Sequence, residues 1–406
     1  MNLARRIFFL VVALVAALGW TACSGGCSTT SLSSSGGAGG GTPGTVNSGG
    51  TSCGPGSTGT GGKSAALVYY LGSSDILAAS LSTSGNFAPL TSVKPAALSG
   101  NSTDNMVIVN KKFLYVAMGD STVEGFTIDR ASGSLTLIQG SPFAAPGGAD
   151  TAVSDPAGRF LFVGGEVIGK IAAFQIDATT GVLTPSPGSP FQSFNLLSAD
   201  SMAVDGSGKF LYAGQLSPNT PVAGFSIDQN NGGLREIAGS PFHLGVATVH
   251  ADSSGKFLLG VAGVLDQGNA FNDHHVYVFS IDATTGAPTA VAGSPFQTAA
   301  APFDFVISPN AKFVYVFGRD SAGALAAIEG FQIDTTTGFL SALALSPTLP
   351  LVAVCQFDQG GGEAFCVDAL FATKFSVLTA NPTTGALTHT VQDLTVPNNF
   401  PFAVTD

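Results

Sequence analysis

Residues 205–242, DGSGKFLYAGQLSPNTPVAGFSIDQNNGGLREIAGSPF, are one copy of a unit that returns along most of the 406-residue chain. Another copy begins at Asp155 (DPAGRFLFVGG, FQIDATTG, then GSPF ending at Phe191), and a third at Asp252 (DSSGKFLLGVAG, FSIDATTG, then GSPF ending at Phe296). Each copy is built on an aromatic-rich anchor strand. The anchors are read as starting at residues 67, 113, 160, 210, 257, 313 and 365, a period of 46–56 residues. A second strand of the type FSID follows each anchor, then a turn and a short third strand. One more apolar stretch, such as MVIVN or FVISP, precedes it. Four short strands per unit at this period describe a propeller blade. The expected fold is therefore all-β, a seven-bladed β-propeller of four-stranded blades spanning 65–406.

The turn chemistry agrees with this reading. Asp177–Gly181, Asp282–Gly286, Asp334–Gly338 and Asn381–Gly385 each place an Asx residue first and a glycine last. The short carboxylate or amide bonds its own downstream backbone, and glycine accepts a positive φ. The same logic covers the DGSG and DSSG turns before the anchors, whose spacing matches no calcium loop. The anchor at 67 has no inner strand before it, whereas the chain closes on Asn-Phe-Pro-Phe-Ala-Val-Thr-Asp (399–406), an inner strand with no anchor after it. The C-terminal strand is expected to complete the first blade, which leaves no open radial edge.

Residues 1–22 read as a signal peptide: Arg5 and Arg6 precede the apolar run Ile7–Leu18. Trp20-Thr21-Ala22-Cys23 then resembles a bacterial lipobox with Cys23 as the lipidated residue. Trp20 departs from the usual Leu and keeps ordinary cleavage near Ala22 open, with an uncleaved anchor as a further alternative. Residues 23–64 carry the lipidated Cys and a Gly/Ser/Thr tether that cannot bury enough apolar surface to fold. Its expected reach is roughly 35 Å. These features predict export to the bacterial cell envelope, in the outer membrane or periplasm, with secretion as the alternative and membrane contact only through the lipid. The net charge of −11 disfavours a nucleic-acid partner, since binding phosphate backbones needs a basic footprint. The expected state is a monomer with a small-molecule or protein ligand. In an exported chain a disulfide persists, and Cys355 and Cys366 flank the Gly-rich turn QFDQGGGEAF as candidates for one. Cys27 and Cys53 cannot be paired from sequence.

The signature D-x-S-G-K-F-L-Y, F-x-I-D-x-x-T-G-x-L, G-S-P-F resembles the seven-bladed propeller lactonase family, which includes propeller-type 6-phosphogluconolactonases. The resemblance covers about 65–406 and implies hydrolysis of a sugar or other lactone. Related muconate-lactonising propellers place His, Arg and Glu near the central opening. Here the corresponding stretches carry Asp104, Asp150, Asp200 and Asp304, so no residue carries over as catalytic. A noncatalytic scaffold that binds a ligand or a protein is the alternative.

Strand order puts the repeated turns on one face and the variable connections on the other, which is where a site is expected. Asp104, Asp150, Asp200 and Asp304 each lie nine or ten positions before an anchor and are expected to ring the channel mouth. Converging carboxylates there would attract a divalent cation, while a local cap at each strand start is the competing reading. The insertion 264–275 offers Asp266, Asp273, His274 and His275 as transition-metal ligands, against a solvated loop. Arg319, Asp320 and Glu329 flank another variable connection. An arginine could hold a lactone carboxylate or phosphate and a carboxylate could serve as base, against local ion pairing. His243 and His250 are read as packing or surface residues.

Overall fold

The anchor strands are buried on both faces, and the reason is visible in what they touch. In Phe113–Ala117 every residue is buried. Phe113, Tyr115 and Ala117 pack with Leu161, Val163 and Phe174 of the next unit. Leu114 and Val116 pack with Leu67, Tyr69 and Leu71 of the preceding one. A strand sandwiched between two neighbours reads as a continuous apolar run, and its alternate side chains serve opposite cores.

The computed structural model describes residues 64–405 except 72–74, 83–86, 91–104, 166–168, 193–197, 200, 216–220, 264–272, 347, 359–361, 368–373, 390–393 and 396–401. The leader, the tether with Cys23, Cys27 and Cys53, and the candidate residues Asp104, Asp200 and Asp266 therefore lie outside the described residues. The chain divides into Met1–Gly62 and Lys63–Asp406, and the blades all belong to the second unit. No helix occurs among its described residues.

Seven antiparallel sheets make the blades. Blade 2 runs outward from the inner strand Asn105–Val109 through Phe113–Ala117 and Thr122–Ile128 to Leu135–Leu137. Blades 3 to 7 repeat the order, with inner strands Thr151–Ser154, Ser201–Val204, Thr248–Ala251, Ala301–Ile307 and Val354–Phe357. In blade 1 the inner strand is Phe402–Thr405, which pairs with Ser64–Leu71 in the register Leu67↔Thr405 to Tyr70↔Phe402. Each inner strand touches the next, and Val354–Phe357 touches Phe402–Thr405, so the ring is closed.

Three local devices hold neighbouring strands in register. Asp155, Asp205 and Asp252 are buried, and each Oδ1 accepts from the backbone amides four and five residues on, ending at the anchor phenylalanine. Their carboxylates are consumed by the turn. In the GSPF segments, Ser141, Ser189, Ser240 and Ser294 accept a hydrogen bond from a third-strand amide through Oγ. The Ser–Pro bonds there are cis, and Phe143, Phe191 and Phe296 open short strands back onto the third strand. Finally, an anchor tyrosine donates to the glycine carbonyl of the next blade's outer turn. The pairs are Tyr69 to Gly133, Tyr115 to Gly181, Tyr212 to Gly286 and Tyr315 to Gly385, at 2.6–3.0 Å. Burial raises all four phenols, Tyr315 up to about 12.

Blade 7 corrects one register. Its anchor strand is Glu363–Val367 and does not begin at Phe365. Asp358 caps the amide of Glu363, five residues on, as Asp155 caps Phe160. Phe365 therefore holds the position of the tyrosines and Glu363 that of the anchor phenylalanine. Cys355 and Cys366 are directly opposite on the inner and anchor strands and are joined by a disulfide, with Cα atoms 4.1 Å apart.

Candidate functional site

Along the channel, inner-strand side chains reach forward to the next blade. Asn105 Oδ1 accepts from the Ala152 amide at 3.3 Å. Ser201 Oγ accepts from the Val249 amide at 2.9 Å, Thr248 Oγ1 donates to the Phe303 carbonyl at 3.5 Å, and Gln356 Nε2 donates to the Phe402 carbonyl at 3.0 Å. Inner strands have no further strand to pair with, so these side chains satisfy backbone groups that would otherwise face the channel alone.

Between blades 5 and 6 the link is ionisable. His250 Nε2 and Asp304 Oδ1 lie 3.3 Å apart, with side chains 44% and 25% exposed. The Phe305 amide donates to the same Oδ1 at 2.8 Å, and the Phe305 ring meets the imidazole edge-on at 4.7 Å. A β-bulge between Pro302 and Asp304 sets this arrangement, because one inserted residue moves the side chains after it to the other side of the strand.

Of the four carboxylates expected to ring the channel mouth, Asp150 and Asp304 lie among the described residues. Asp150 precedes the first residue of its strand, and its amide donates to the Gly164 carbonyl at 2.9 Å. Its carboxylate is buried in a niche that Gly148 and Gly165 leave open: a Cβ on Gly165 would stand 2.7 Å from Oδ2. Asp304 lies inside its strand opposite Phe317, at the level of Thr151 opposite Gly164, one residue deeper than Asp150. The two do not occupy equivalent positions.

The described members of the other candidate sets each have local partners. Asp273 Oδ1 meets His275 Nδ1 at 2.7 Å, and Oδ2 accepts from the Tyr277 hydroxyl at 2.9 Å. His274 instead turns Nδ1 to the Ala299 carbonyl at 3.0 Å. Adjacent residues at a strand start face opposite ways, and among the described residues no cluster of three or more metal-ligating side chains forms. Burial, and then the bond to Asp273, push the Tyr277 phenol up to about 12. Arg319 ends its anchor strand buried, donates Nη1 to the Gly323 carbonyl at 2.9 Å and stacks over the Phe303 ring at 5.4 Å. Desolvation lowers its pKa. Asp320 caps the turn amides of Ala322 and Ala324, both at 2.9 Å. Glu329 accepts from the amides of Ala299 and Ala300 at 2.8–3.0 Å. All three are committed to local loop structure.

A pocket of about 200 Å³ opens on the opposite face, bordered by Val204, Ala251 and Ile307 at the far ends of three inner strands. The polar side chains there are already engaged: Asp252 and Ser308 serve their turns, and Ser253 Oγ donates to the Pro309 carbonyl at 2.7 Å. The residue passed over in the sequence is His250. Counting from the anchor would have placed it on an inner strand, two positions past Thr248.

The comparisons with known proteins agree with this architecture. Residues 69–193 match the family model described as lactonase, 7-bladed beta-propeller. Over 140 residues the chain is 31% identical to a 6-phosphogluconolactonase of Pectobacterium carotovorum subsp. carotovorum (strain PC1), a match that spans 32% of this chain and 39% of that relative. Among solved structures, a protein from Bacteroides uniformis ATCC 8492 superposes with a TM-score of 0.66 at 18% identity, covering 84% of this chain and all (100%) of that one. The Pseudomonas aeruginosa periplasmic gluconolactonase PpgL superposes with a TM-score of 0.60 at 17% identity, covering 84% and 98%. At such identities these structures speak for the fold. Fold, repeat signature and family match together describe a lactonase-like seven-bladed β-propeller.

Proposed function

We propose that the propeller hydrolyses a sugar lactone or a related cyclic ester at the channel mouth on its variable face. The observation that carries this reading is the lactonase match over residues 69–193, a span that includes all of blade 2 and the strands of blade 3. Fold alone would not do so, since one fold hosts many activities. Charge argues for an uncharged lactone over a phosphorylated one. The chain carries a net charge of −11, and the described mouth presents Asp304 while Arg319 is buried against Phe303. A phosphate dianion approaching that surface is repelled.

The test is hydrolysis of a lactone panel, with δ-gluconolactone beside 6-phosphogluconolactone, followed by proton release and corrected for spontaneous opening. The expected outcome is turnover with kcat/KM higher for the uncharged lactone. No turnover above the blank on any member would overturn the proposal. It would leave the second reading, a noncatalytic ligand- or protein-binding scaffold. That reading draws its support from the local engagement of Arg319, Asp320 and Glu329.

A further inference from the structure

Two hydrogen-bonded histidine–carboxylate pairs occur among the described residues. His275 and Asp273 sit at the outer side of blade 5, at the start of its third strand. His250 and Asp304 sit on adjacent inner strands, which line the channel. On the reading of the domain as a lactone hydrolase, we infer that His250 is the general base that activates the hydrolytic water, with Asp304 as its positioning residue.

The carboxylate opposite Nε2 fixes the neutral ring with its proton on that nitrogen, which leaves Nδ1 as the basic atom. Among the described residues Nδ1 has no protein hydrogen-bond partner. The imidazole is held on two sides, by Asp304 at 3.3 Å and by the Phe305 ring at 4.7 Å, while 44% of its side chain stays open to solvent. Asp304 is itself held by the Phe305 amide. A base locked in orientation but accessible to water is what general-base hydrolysis requires.

In the step, Nδ1 takes a proton from water as the water oxygen adds to the lactone carbonyl carbon. The tetrahedral oxyanion collapses and the ring C–O bond breaks. The departing alkoxide then takes the proton back from Nδ1. One lactone and one water give one hydroxy acid, whose carboxyl proton passes to solvent.

The experiment uses the full chain with δ-gluconolactone. His250→Ala should lower kcat by about 10²–10⁴-fold while KM stays near wild type, and added imidazole should restore part of the rate. His250→Gln, which keeps the side-chain bulk, reads the same loss if the alanine variant fails to fold. Asp304→Asn should lower kcat by about tenfold or more, since an amide can hold the ring in the wrong tautomer. Wild-type turnover with both His250 variants within about threefold of it in kcat would overturn the assignment of the base and leave the lactonase reading standing. Absence of wild-type turnover across the panel would remove both.

Discussion

Glu363 stands where five other blades place a phenylalanine, namely Phe113, Phe160, Phe210, Phe257 and Phe313. Desolvation raises its carboxyl above the ordinary range, and the nearby Asp358 charge adds to this. A carboxyl whose pKa is raised in the folded state contributes stability that is present below its unfolded value and lost as pH rises through its folded value. At neutral pH the ionised Glu363 therefore works against the fold. Glu363→Gln should raise the melting temperature at pH 7 by about one or two degrees, a small gain because the side chain is partly exposed. The gain should vanish near pH 4, where the wild-type carboxyl is protonated. A variant that melts no higher than wild type at pH 7 would contradict this. The residue also shows why sequence counting slipped. Phe365 looked like the start of an anchor, and only the Asp358 cap fixes Glu363 in that place. The pairing of His250 with Asp304, itself a channel-mouth candidate, escaped for a related reason: the bulge at Phe303 carries no glycine to announce it, so their offsets from the anchors did not reveal a shared site.

At the scale of elements, the strands and turns were readable because their determinants are local. Asp177 bonds the amides of Thr179 and Thr180, and that chemistry is written within the DATTG pentad. The blade-to-blade ties were not readable, because the partners are distant in sequence: Tyr212 and Gly286 are 74 residues apart. The tie makes its own prediction. Tyr212→Phe deletes a 2.6 Å hydrogen bond and leaves the buried Gly286 carbonyl without its donor. Loss of the partner to a buried acceptor costs about 1–3 kcal/mol, which urea unfolding would register as a lower midpoint at constant slope. The ring itself should tolerate the change, since Phe162 fills the corresponding place in blade 3 with no hydroxyl. Gly286→Ala should be worse. Its backbone sits at φ +76°, and a Cβ would come within 2.5 Å of the Phe210 ring. An unchanged midpoint for Tyr212→Phe would mean that the hydroxyl tie adds nothing to ring packing.

For the whole molecule, closure rests on four residues at the C-terminal end. Phe402 to Val404 are almost fully buried, and Phe402 meets Phe375 of blade 7 edge-on with centroids 5.0 Å apart. Gln356 of blade 7 donates to the Phe402 carbonyl, while Phe402–Thr405 pairs with the anchor strand of blade 1. One strand thus joins the first blade to the last. This much was legible, because an inner strand without an anchor and an anchor without an inner strand sit at opposite ends of the repeat. Removing residues 400–406 should do more than subtract the burial of one phenylalanine, roughly 1.5–3 kcal/mol. It uncovers the pairing edge of Ser64–Leu71 and frees blade 7 on one side, so a broad, early unfolding transition and aggregation through the bared edge are expected. Supplying 400–406 as a separate peptide should narrow the transition and raise its midpoint, because it can occupy the same register. A truncated chain that melts within a few degrees of wild type, with equal cooperativity, would show that the blades hold their ring without this strand. The channel site follows the same logic: His250 and Asp304 belong to different blades and meet only while the inner strands keep their spacing. Lactone turnover by the truncated chain should therefore fall with the folded fraction and return with the peptide.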